Sequence, residues 1–544
     1  MTCSKIFSGD LPELTNEIIQ YFKKDFSTLY SCILVNRLWC RLTIPLLWEN
    51  PFSIPTRNHR YIEIYLCHLN ENGKAKFNEY KVNNNLIPSN TLFNYPSFIK
   101  NLNIRSICFS IKRWIPTFAD NNHKKLKKLV YWSLFEVFIE NRGILNSFEI
   151  EMSTINHFEN FDDTIKLILQ NPNFIHNIEN LTFHIYFSFP NIKNIILFLE
   201  FLSSNCNSIS SISFEFPIIN IDNFLLIEKC LCQIIISQSN LQKISFGSES
   251  ISYSPSLSLK SLKNSNCSNS LNVIIFYYID FKNIITILQE VFDHLNVLES
   301  IHLLYCDSLN SDFVHQIIKI NKPFRLKSLF INEILNIESL QLLLQKFGNS
   351  LENFEFGTMD EEYEESRRQL LRLILKYCTK IKYLLSDKPN DINIYQLIKN
   401  IGQTINYLDI DLEFDDYEEL SPIVLKNLGQ VLPPKLEYLC LSLSFNTNDL
   451  EIFLKNSQNT FVNRLLIRNI LKNKGESVLF YIKEYIMKKE KVKYLAILET
   501  FLYCLGEKEL FYLKDEVNEF KLHNIIVQKF FDSCITINDI ISIE

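Results

Sequence analysis

The chain has 544 residues, with 55 Lys and Arg against 61 Asp and Glu, so its formal net charge is -6. A chain of this length exceeds one ordinary hydrophobic core, which predicts several domains or an elongated repeat. The slightly negative charge, with no basic cluster interleaved with aromatics, argues against nucleic-acid binding.

Fourteen cysteines are scattered without a Cys-x-x-Cys pair, which is typical of buried thiols in a reducing compartment rather than of disulfides or a zinc site. Polar sequence rather than an apolar signal core follows Met1, and no apolar run is long enough to span a bilayer. These features predict a cytoplasmic or nuclear protein without membrane contacts.

The first 50 residues contain the pattern of three short helices. Apolar residues recur at four-residue spacing in the first and at three-residue spacing in the second, so each of these carries an apolar stripe. The first is expected to begin at Leu11, and the third to run from Arg37 to Leu42 because Pro45 disfavours its continuation. The predicted capping residues are Asp10, Ser27 and Asn36.

Ten landmark residues accompany these helices: Leu11, Pro12, Leu14, Ile18, Leu29, Cys32, Val35, Trp39, Leu47 and Trp48. Their order and spacing resemble an F-box, although Leu14-Thr15 and Asp25-Phe26 stand where that family usually has Leu-Leu and Asp-Leu. The resemblance implies that residues 1-50 dock on the Skp-type adaptor of a Skp-cullin-F-box ubiquitin ligase. It also implies that the ten residues divide between adaptor contact and a small core. The alternative is an N-terminal cap of a larger helical protein.

Residues 51-97 are rich in Pro and Asn and predict a linker with one short helix near Arg60 to Asn70. Beyond them, the pattern apolar-x-x-apolar-x-apolar recurs every 24 to 32 residues in its clearer part. An early, less regular copy is Leu126-Leu129-Tyr131, and clear copies are Ile178-Leu181-Phe183, Ile209-Ile212-Phe214 and Leu326-Leu329-Ile331.

Amphipathic helical stretches separate these copies, for example Asn283 to Leu295, Ile337 to Phe347 and Arg368 to Tyr377. Each repeat is therefore predicted as a strand followed by a helix, with parallel strands joined by helical crossovers. The pattern resembles leucine-rich repeats and implies an α/β fold, an irregular solenoid over 98-500 with strands on its concave side and helices outside. The alternative is an irregular solenoid of another type. Residues 501-544 are expected to cap it, with a terminal helix from Asp515 to Phe531.

The sequence contains no pattern typical of a nucleophilic, phosphate-binding or metalloprotease site, and ten glycines leave little room for phosphate loops. We therefore expect no enzymatic activity, no catalytic residue, no metal and no cofactor. The densest basic segment, Lys124-Lys125 with Lys127-Lys128, is interpreted as a solvated face rather than as a phosphate site.

Residues that alternate with the apolar strand positions should face the open side of the sheet, where a solenoid binds its partners. The alternative is that these are ordinary surface residues of the strands. A shift of one residue in strand register would also exchange the residues of the open side with those of the covered side. The substrate-binding candidates are His184, Tyr277, His302, Phe330, Glu355, Asp409 and Asp411. The same alternation places Glu413 two residues after Asp411, on the same side of the sheet.

Together these patterns indicate a protein similar to the expanded, fungal-type F-box proteins with C-terminal leucine-rich repeats. The resemblance implies a substrate-recognition subunit that docks a Skp-type adaptor, and through it a cullin-RING ligase, while its repeats bind a protein substrate for ubiquitination. The alternative is a leucine-rich-repeat interaction scaffold without a role in ubiquitin transfer.

Overall fold

The computed structural model describes residues 11–23, 25–54, 59–78, 88, 90–115, 123–186, 192–216, 221–248, 254–263, 266–331, 336–356, 364–386, 391–412, 417–471, 478–489, 491–501, 506–536 and 539–541. The chain forms two compact units. Unit 1 contains Met1–Ile274 with Glu290–Leu298, and unit 2 contains Ile275–Gln289 with Glu299–Glu544.

Unit 1 begins with helices and continues as alternating strands and helices. Its helices are α1 Pro12–Tyr21, α2 Phe26–Ile33, α3 Arg37–Leu47, α4 Tyr61–Leu66, α5 Glu71–Asn78, α6 Ile104–Trp114, α7 His123–Glu140, α8 Ile155–Gln170, α9 Lys193–Asn205, α10 Ile221–Ser237 and α11 Ser256–Lys263. Its strands are β1 Asn101–Asn103, β2 Ser147–Met152, β3 Asn180–Ile185, β4 Ser211–Phe216 and β5 Lys243–Ser248. From β1 to β5, each strand pairs in parallel with its successor.

Two elements contribute residues to both units, namely β6 Val273–Tyr277 and α12 Ile285–His294. Unit 2 then contains β7 Ser300–Leu304, α13 Ser311–Lys319, β8 Arg325–Ile331, α14 Ile337–Phe347, β9 Asn353–Phe356, α15 Glu364–Tyr377, β10 Tyr383–Ser386, α16 Ile392–Asn400, β11 Tyr407–Asp411, α17 Tyr417–Val431, β12 Lys435–Leu443, α18 Thr447–Asn456, β13 Phe461–Leu471, α19 Leu479–Tyr485, β14 Val492–Phe501, β15 Gly506–Glu509, α20 Lys514–Leu522, β16 Ile526–Val527 and α21 Phe530–Ser533. Short 3-10 turns lie at Pro51–Ser53, Tyr95–Phe98, Pro172–Phe174, Asn266–Asn269, Phe281–Asn283, Gly348–Ser350, Met487–Lys489 and Leu510–Tyr512.

The strands of unit 2 repeat the parallel order of unit 1. Strands β7 to β14 pair in parallel, each with its successor in the chain. Strand β15 is antiparallel to β14, and β16 adds to β14 in parallel. Each unit is therefore α/β with a sheet of parallel strands in sequence order, the arrangement of a solenoid-like fold.

The apolar strand positions are buried on the side of the sheet that the helices cover. Burial alternates residue by residue along β2, β3 and β4, as a half-covered strand requires. Phe148 of β2 contacts Phe198 of α9, with ring centroids 6.1 Å apart. The residues between these positions lie on the opposite side of the sheet, which we call the open face.

Two details of the N-terminal helices differ from the sequence prediction, and Asp10 lies outside the described residues. Asp25, not Ser27, caps α2, because its carboxylate accepts the backbone N–H of Thr28 at 3.0 Å. Helix α3 does not stop at Leu42 but continues through Pro45 to Leu47. Because Pro45 has no backbone N–H, the carbonyl of Arg41 lacks its helical hydrogen bond. Arg41 is exposed, so water can donate to that carbonyl instead.

Two other predicted elements are wrong. Leu126-Leu129-Tyr131 lies within α7 rather than on a strand. Leu126, Val130 and Leu134 are all buried at four-residue spacing, so the helical period explains the same apolar residues. The predicted terminal helix from Asp515 to Phe531 is interrupted after Leu522, since Asn524 adopts a left-handed φ of 58° and the chain then enters β16.

Candidate functional site

The N-terminal helices pack around a small core of their own. Its buried members are Ile19, Leu29, Cys32, Trp39, Leu46 and Leu47, with Ile18, Phe22, Phe26, Ile33, Leu42 and Trp48 partly buried against them. Four of the ten landmark residues, Leu29, Cys32, Trp39 and Leu47, are thus core residues. Two more, Ile18 and Trp48, are at its edge.

The remaining four landmark residues lie on the surface. Leu11, Leu14 and Val35 are 40%, 41% and 44% exposed, and Pro12 is exposed beside them in the chain. The structure therefore separates the landmark residues into core and surface, a division that the sequence leaves open. Large apolar side chains at a surface are available to a partner.

Three further exposed apolar residues, on or directly after the same helices, were not singled out from the sequence. Tyr21, Tyr30 and Leu34 are 87%, 67% and 79% exposed. Tyr21 follows Leu14 and Ile18 at helical spacing, and Leu34 follows Tyr30 by one turn. These spacings are the signal by which they could have been found.

The three helices are joined to the first strand of unit 1 through Glu49. Its carbonyl accepts the backbone N–H groups of Lys100 and Asn101 at 3.1 and 3.0 Å, and its carboxylate lies 2.7 Å from the ammonium of Lys23. Trp48 contacts Tyr65 and Tyr95 at ring-centroid distances of 5.2 and 4.2 Å. Parts of the predicted linker thus pack against the helical domain.

The open face of unit 1 is polar. His184 approaches the hydroxyl of Ser213 at 3.0 Å through Nε2 and the carboxylate of Glu215 at 3.6 Å through Nδ1. Burial lowers the pKa of His184 to about 4, so its ring is neutral at pH 7. This residue can form hydrogen bonds with a ligand but does not contribute a positive charge.

The open face of unit 2 contains a buried polar chain across three neighbouring strands. His302 Nδ1 lies 2.7 Å from the hydroxyl of Ser328, which also accepts a hydrogen bond from the amide of Asn353 at 3.0 Å. His302 is only 1% exposed. Its role is therefore internal, and a partner would reach it only after other side chains move.

Aromatic side chains surround the next candidates. Phe330 is buried between Tyr305 and Tyr383, with ring centroids 5.6 and 5.8 Å away, and Tyr305 donates a hydrogen bond to the carboxylate of Glu355. Glu355 is 6% exposed. The structure thus brings Phe330 and Glu355 together, as neighbours in a mostly buried cluster.

Tyr277 belongs to a more accessible group. Tyr277, Tyr278 and Tyr305, which we call the tyrosine cluster, are all half-buried, with ring centroids 4.7 to 6.1 Å apart. Tyr278 and Tyr305 adopt left-handed φ angles of 51° and 53° just beyond β6 and β7. Sequence reasoning found only Tyr277, although each of the others directly follows an apolar strand.

Asp409 and Asp411 lie on one side of β11, and Glu413 lies outside the described residues. Asp409 is partly buried and Asp411 is exposed. Burial first, and then the negative charge of Asp411, raises the pKa of Asp409 to about 7. This pair provides an acidic surface whose charge changes near neutral pH.

The C-terminal segment covers the open face of β12, β13 and β14. Phe530 packs with Tyr438, Cys440, Leu466, Ala496 and Leu498, all of which belong to that face by register. The backbone N–H of Ile535 lies 3.4 Å from the hydroxyl of Tyr438. This part of the face is thus occupied by the chain itself.

In the ranges the structure describes, no three His, Cys, Asp or Glu side chains are placed to hold a metal ion. None of the helices in those ranges combines the length and apolar character needed to cross a bilayer. No protein-family model matches the chain, and no curated protein matches its sequence.

Proposed function

We propose that the chain is the substrate-recognition subunit of a Skp-cullin-F-box ubiquitin ligase. On this proposal, the N-terminal helices dock a Skp-type adaptor and the repeats bind a protein substrate. The observation that carries it is the set of exposed apolar side chains at three landmark residues of the F-box resemblance: Leu11 just before α1, Leu14 on α1 and Val35 just after α2, which form the proposed docking surface.

Burial of that surface would supply the docking energy. A fully buried Leu or Val contributes roughly 1.5–3 kcal/mol, and a few such anchors dominate most interfaces. The core of the three helices is formed by other residues, so the exposed ones are free to contact an adaptor without loss of the fold.

The tyrosine cluster is the part of the open face best suited to a protein substrate. Tyrosine combines a large apolar ring with a hydrogen-bonding hydroxyl and is enriched at protein interfaces. Tyr277 and its neighbours are half-buried rather than enclosed, and Asp411 adds an exposed negative charge on the open face of the same unit. A substrate with an apolar anchor and a basic flank suits these properties.

The test is co-purification of the full chain with a Skp-type adaptor, for the unchanged chain and for Leu11→Ala with Pro12→Ala. Both positions are exposed at the start of α1, so the variant should keep its fold by circular dichroism and lose the adaptor. Leu522→Ala with Phe480→Ala removes apolar side chains that are 83% and 69% exposed elsewhere on the chain and should retain it.

Absence of stoichiometric binding by the folded, unchanged chain would reject the proposal. The chain would then be assigned to the alternative class, a leucine-rich-repeat scaffold that binds proteins without a role in ubiquitin transfer.

A further inference from the structure

Unit 1 contains a cavity of about 590 Å³ that the proposed function does not use. It lies between helices α6, α7 and α8, and its volume is in the range of pockets that hold small molecules. Three lysines of the basic segment noted in the sequence, Lys124, Lys127 and Lys128, line it. The helical fold of this segment places them on one wall.

The lining carries an excess of positive charge. Arg105 and Lys112 of α6 add to the three lysines of α7, whereas Glu159 is the carboxylate of the lining. Lys124 lies 3.1 Å and Lys128 lies 3.4 Å from that same carboxylate, so two ammonium groups share one negative charge.

Carboxylates beside the cavity neutralise only part of this charge. Asp163 lies 3.2 Å from Lys128, and Glu151 pairs with Arg105. Among the ion pairs of the described residues, neither Lys112 nor Lys127 has a partner. Two cations therefore remain available in a chain whose net charge is -6.

The N-terminus of α8 faces the same space. Thr154 caps this helix of 16 residues, and Ser153, Thr154, Asn156 and His157 line the cavity. The helix dipole places partial positive charge at this end. His157 Nδ1 accepts the backbone N–H of Ser153 at 3.3 Å, so the neutral ring carries its proton on Nε2 and is a hydrogen-bond donor there.

We propose that this cavity binds a small molecule carrying two or more phosphate groups. Lysine ammonium groups on two helices, together with a helix N-terminus on a third, can contact several phosphates at once. A single phosphate ion would leave most of the volume empty. The half-exposed ring of Phe109 in the lining offers an apolar surface to the rest of the ligand.

The test is isothermal titration of the full chain with sodium tripolyphosphate at constant ionic strength. We expect saturable binding of one ligand per chain. Lys112→Ala with Lys127→Ala should weaken it at least about ten-fold, because each charged hydrogen bond is strong in a partly enclosed site. Lys125→Ala with Lys166→Ala removes the same charge from exposed positions outside the lining and should change the affinity less than about two-fold.

Absence of saturable binding, or an equal loss in the two variants, would overturn the proposal. Phosphatidylserine-containing vesicles and a single-stranded oligonucleotide are tested in parallel. If either one bound in a manner that depended on Lys112 and Lys127 while tripolyphosphate did not, the site would belong to a membrane or to a nucleic acid instead. Adaptor co-purification is a separate readout, and the Lys112, Lys127 variant should retain it.

Discussion

Asp409 illustrates how burial can change the charge of a single residue. Its pKa is raised to about 7 first by burial and then by the charge of Asp411. In the unfolded chain it titrates near its ordinary value of 3.8. Between these two values the folded chain holds a proton that the unfolded chain has released, so the associated stability is full below pH 3.8 and is lost as the pH rises through 7.

Asp409→Asn should therefore reduce the fall in stability between pH 5 and pH 8 and should stabilise the chain at pH 8. We expect the free energy of unfolding at pH 8 to increase by about 1–2 kcal/mol. One pKa unit corresponds to about 1.4 kcal/mol, and partial access to water screens part of the shift. The measurement is the melting temperature at both pH values. Asp532→Asn makes the same charge change at an exposed position, and an identical pH response in the two variants would contradict the assignment.

The sequence did not distinguish the accessible substrate-binding candidates from the buried ones, whereas the structure does. His302, Phe330 and Glu355 have the alternation expected of open-face residues, yet all three are nearly inaccessible. Ser328 and Tyr383 on neighbouring strands, and Tyr305 just beyond β7, cover these three residues or form hydrogen bonds with them. Such contacts join residues 25 to 53 positions apart, for example Phe330 with Tyr383 and His302 with Ser328, and no local pattern encodes them.

At the scale of elements, the sequence predicts a helix cap correctly where only one favourable capping residue is present. Asn36 was predicted to open the third helix, and its side-chain oxygen accepts the backbone N–H of Trp39 at 3.0 Å. The cap of α2 was misassigned because Asp25 and Ser27 are both favourable capping residues, and the helix began one residue after the earlier of them.

Asn36→Ala should destabilise the N-terminal helices by about 1 kcal/mol, the usual cost of a lost cap. Hydrogen exchange of the amides in Arg37–Leu47 should accelerate accordingly. Asn36→Asp retains an acceptor and should leave exchange nearly unchanged, whereas equal acceleration in both variants would show that the side-chain oxygen is not the stabilising group.

The repeat pattern predicted the strands correctly at the clear copies but wrongly predicted a strand in the basic segment, which is helical. Copies such as Leu181-Phe183 and Leu329-Ile331 fall within parallel strands, as the repeat required. Leu126-Leu129-Tyr131 satisfies the same short pattern but continues at four-residue spacing into a helix of 18 residues. A pattern of six residues is too short to distinguish the two periods.

At the scale of a whole unit, the C-terminal segment decides which part of the open face is accessible. Phe530 is 3% exposed against residues of β12, β13 and β14, whereas its neighbour Phe531 is 60% exposed. Substitutions of Phe530 and Phe531 therefore compare the same side chain at a buried and at an exposed position.

Phe530→Ala should lower the free energy of unfolding of unit 2 by about 3–5 kcal/mol, the usual cost of removing a buried phenylalanine. Phe531→Ala should cost well under 1 kcal/mol. Thermal unfolding of the full chain, with binding of a hydrophobic dye as a second readout, measures both. Similar destabilisation by the two substitutions would mean that the segment does not cover the sheet through Phe530.

The sequence by itself determined most of the alternation of strands and helices and the apolar positions of the repeat strands, because these depend on periods of a few residues. The helical stretches between the strands also predicted their parallel pairing, which holds for all but β15 among the strands whose pairing is described above. Only the tertiary structure decided which landmark residues form the core of the N-terminal helices. It also showed that Phe530 covers the open face near β13, and that Lys112 and Lys127 meet the N-terminus of α8 around one cavity. These outcomes depend on contacts between residues far apart in the chain, whose burial and charge are set by neighbours that no local pattern specifies.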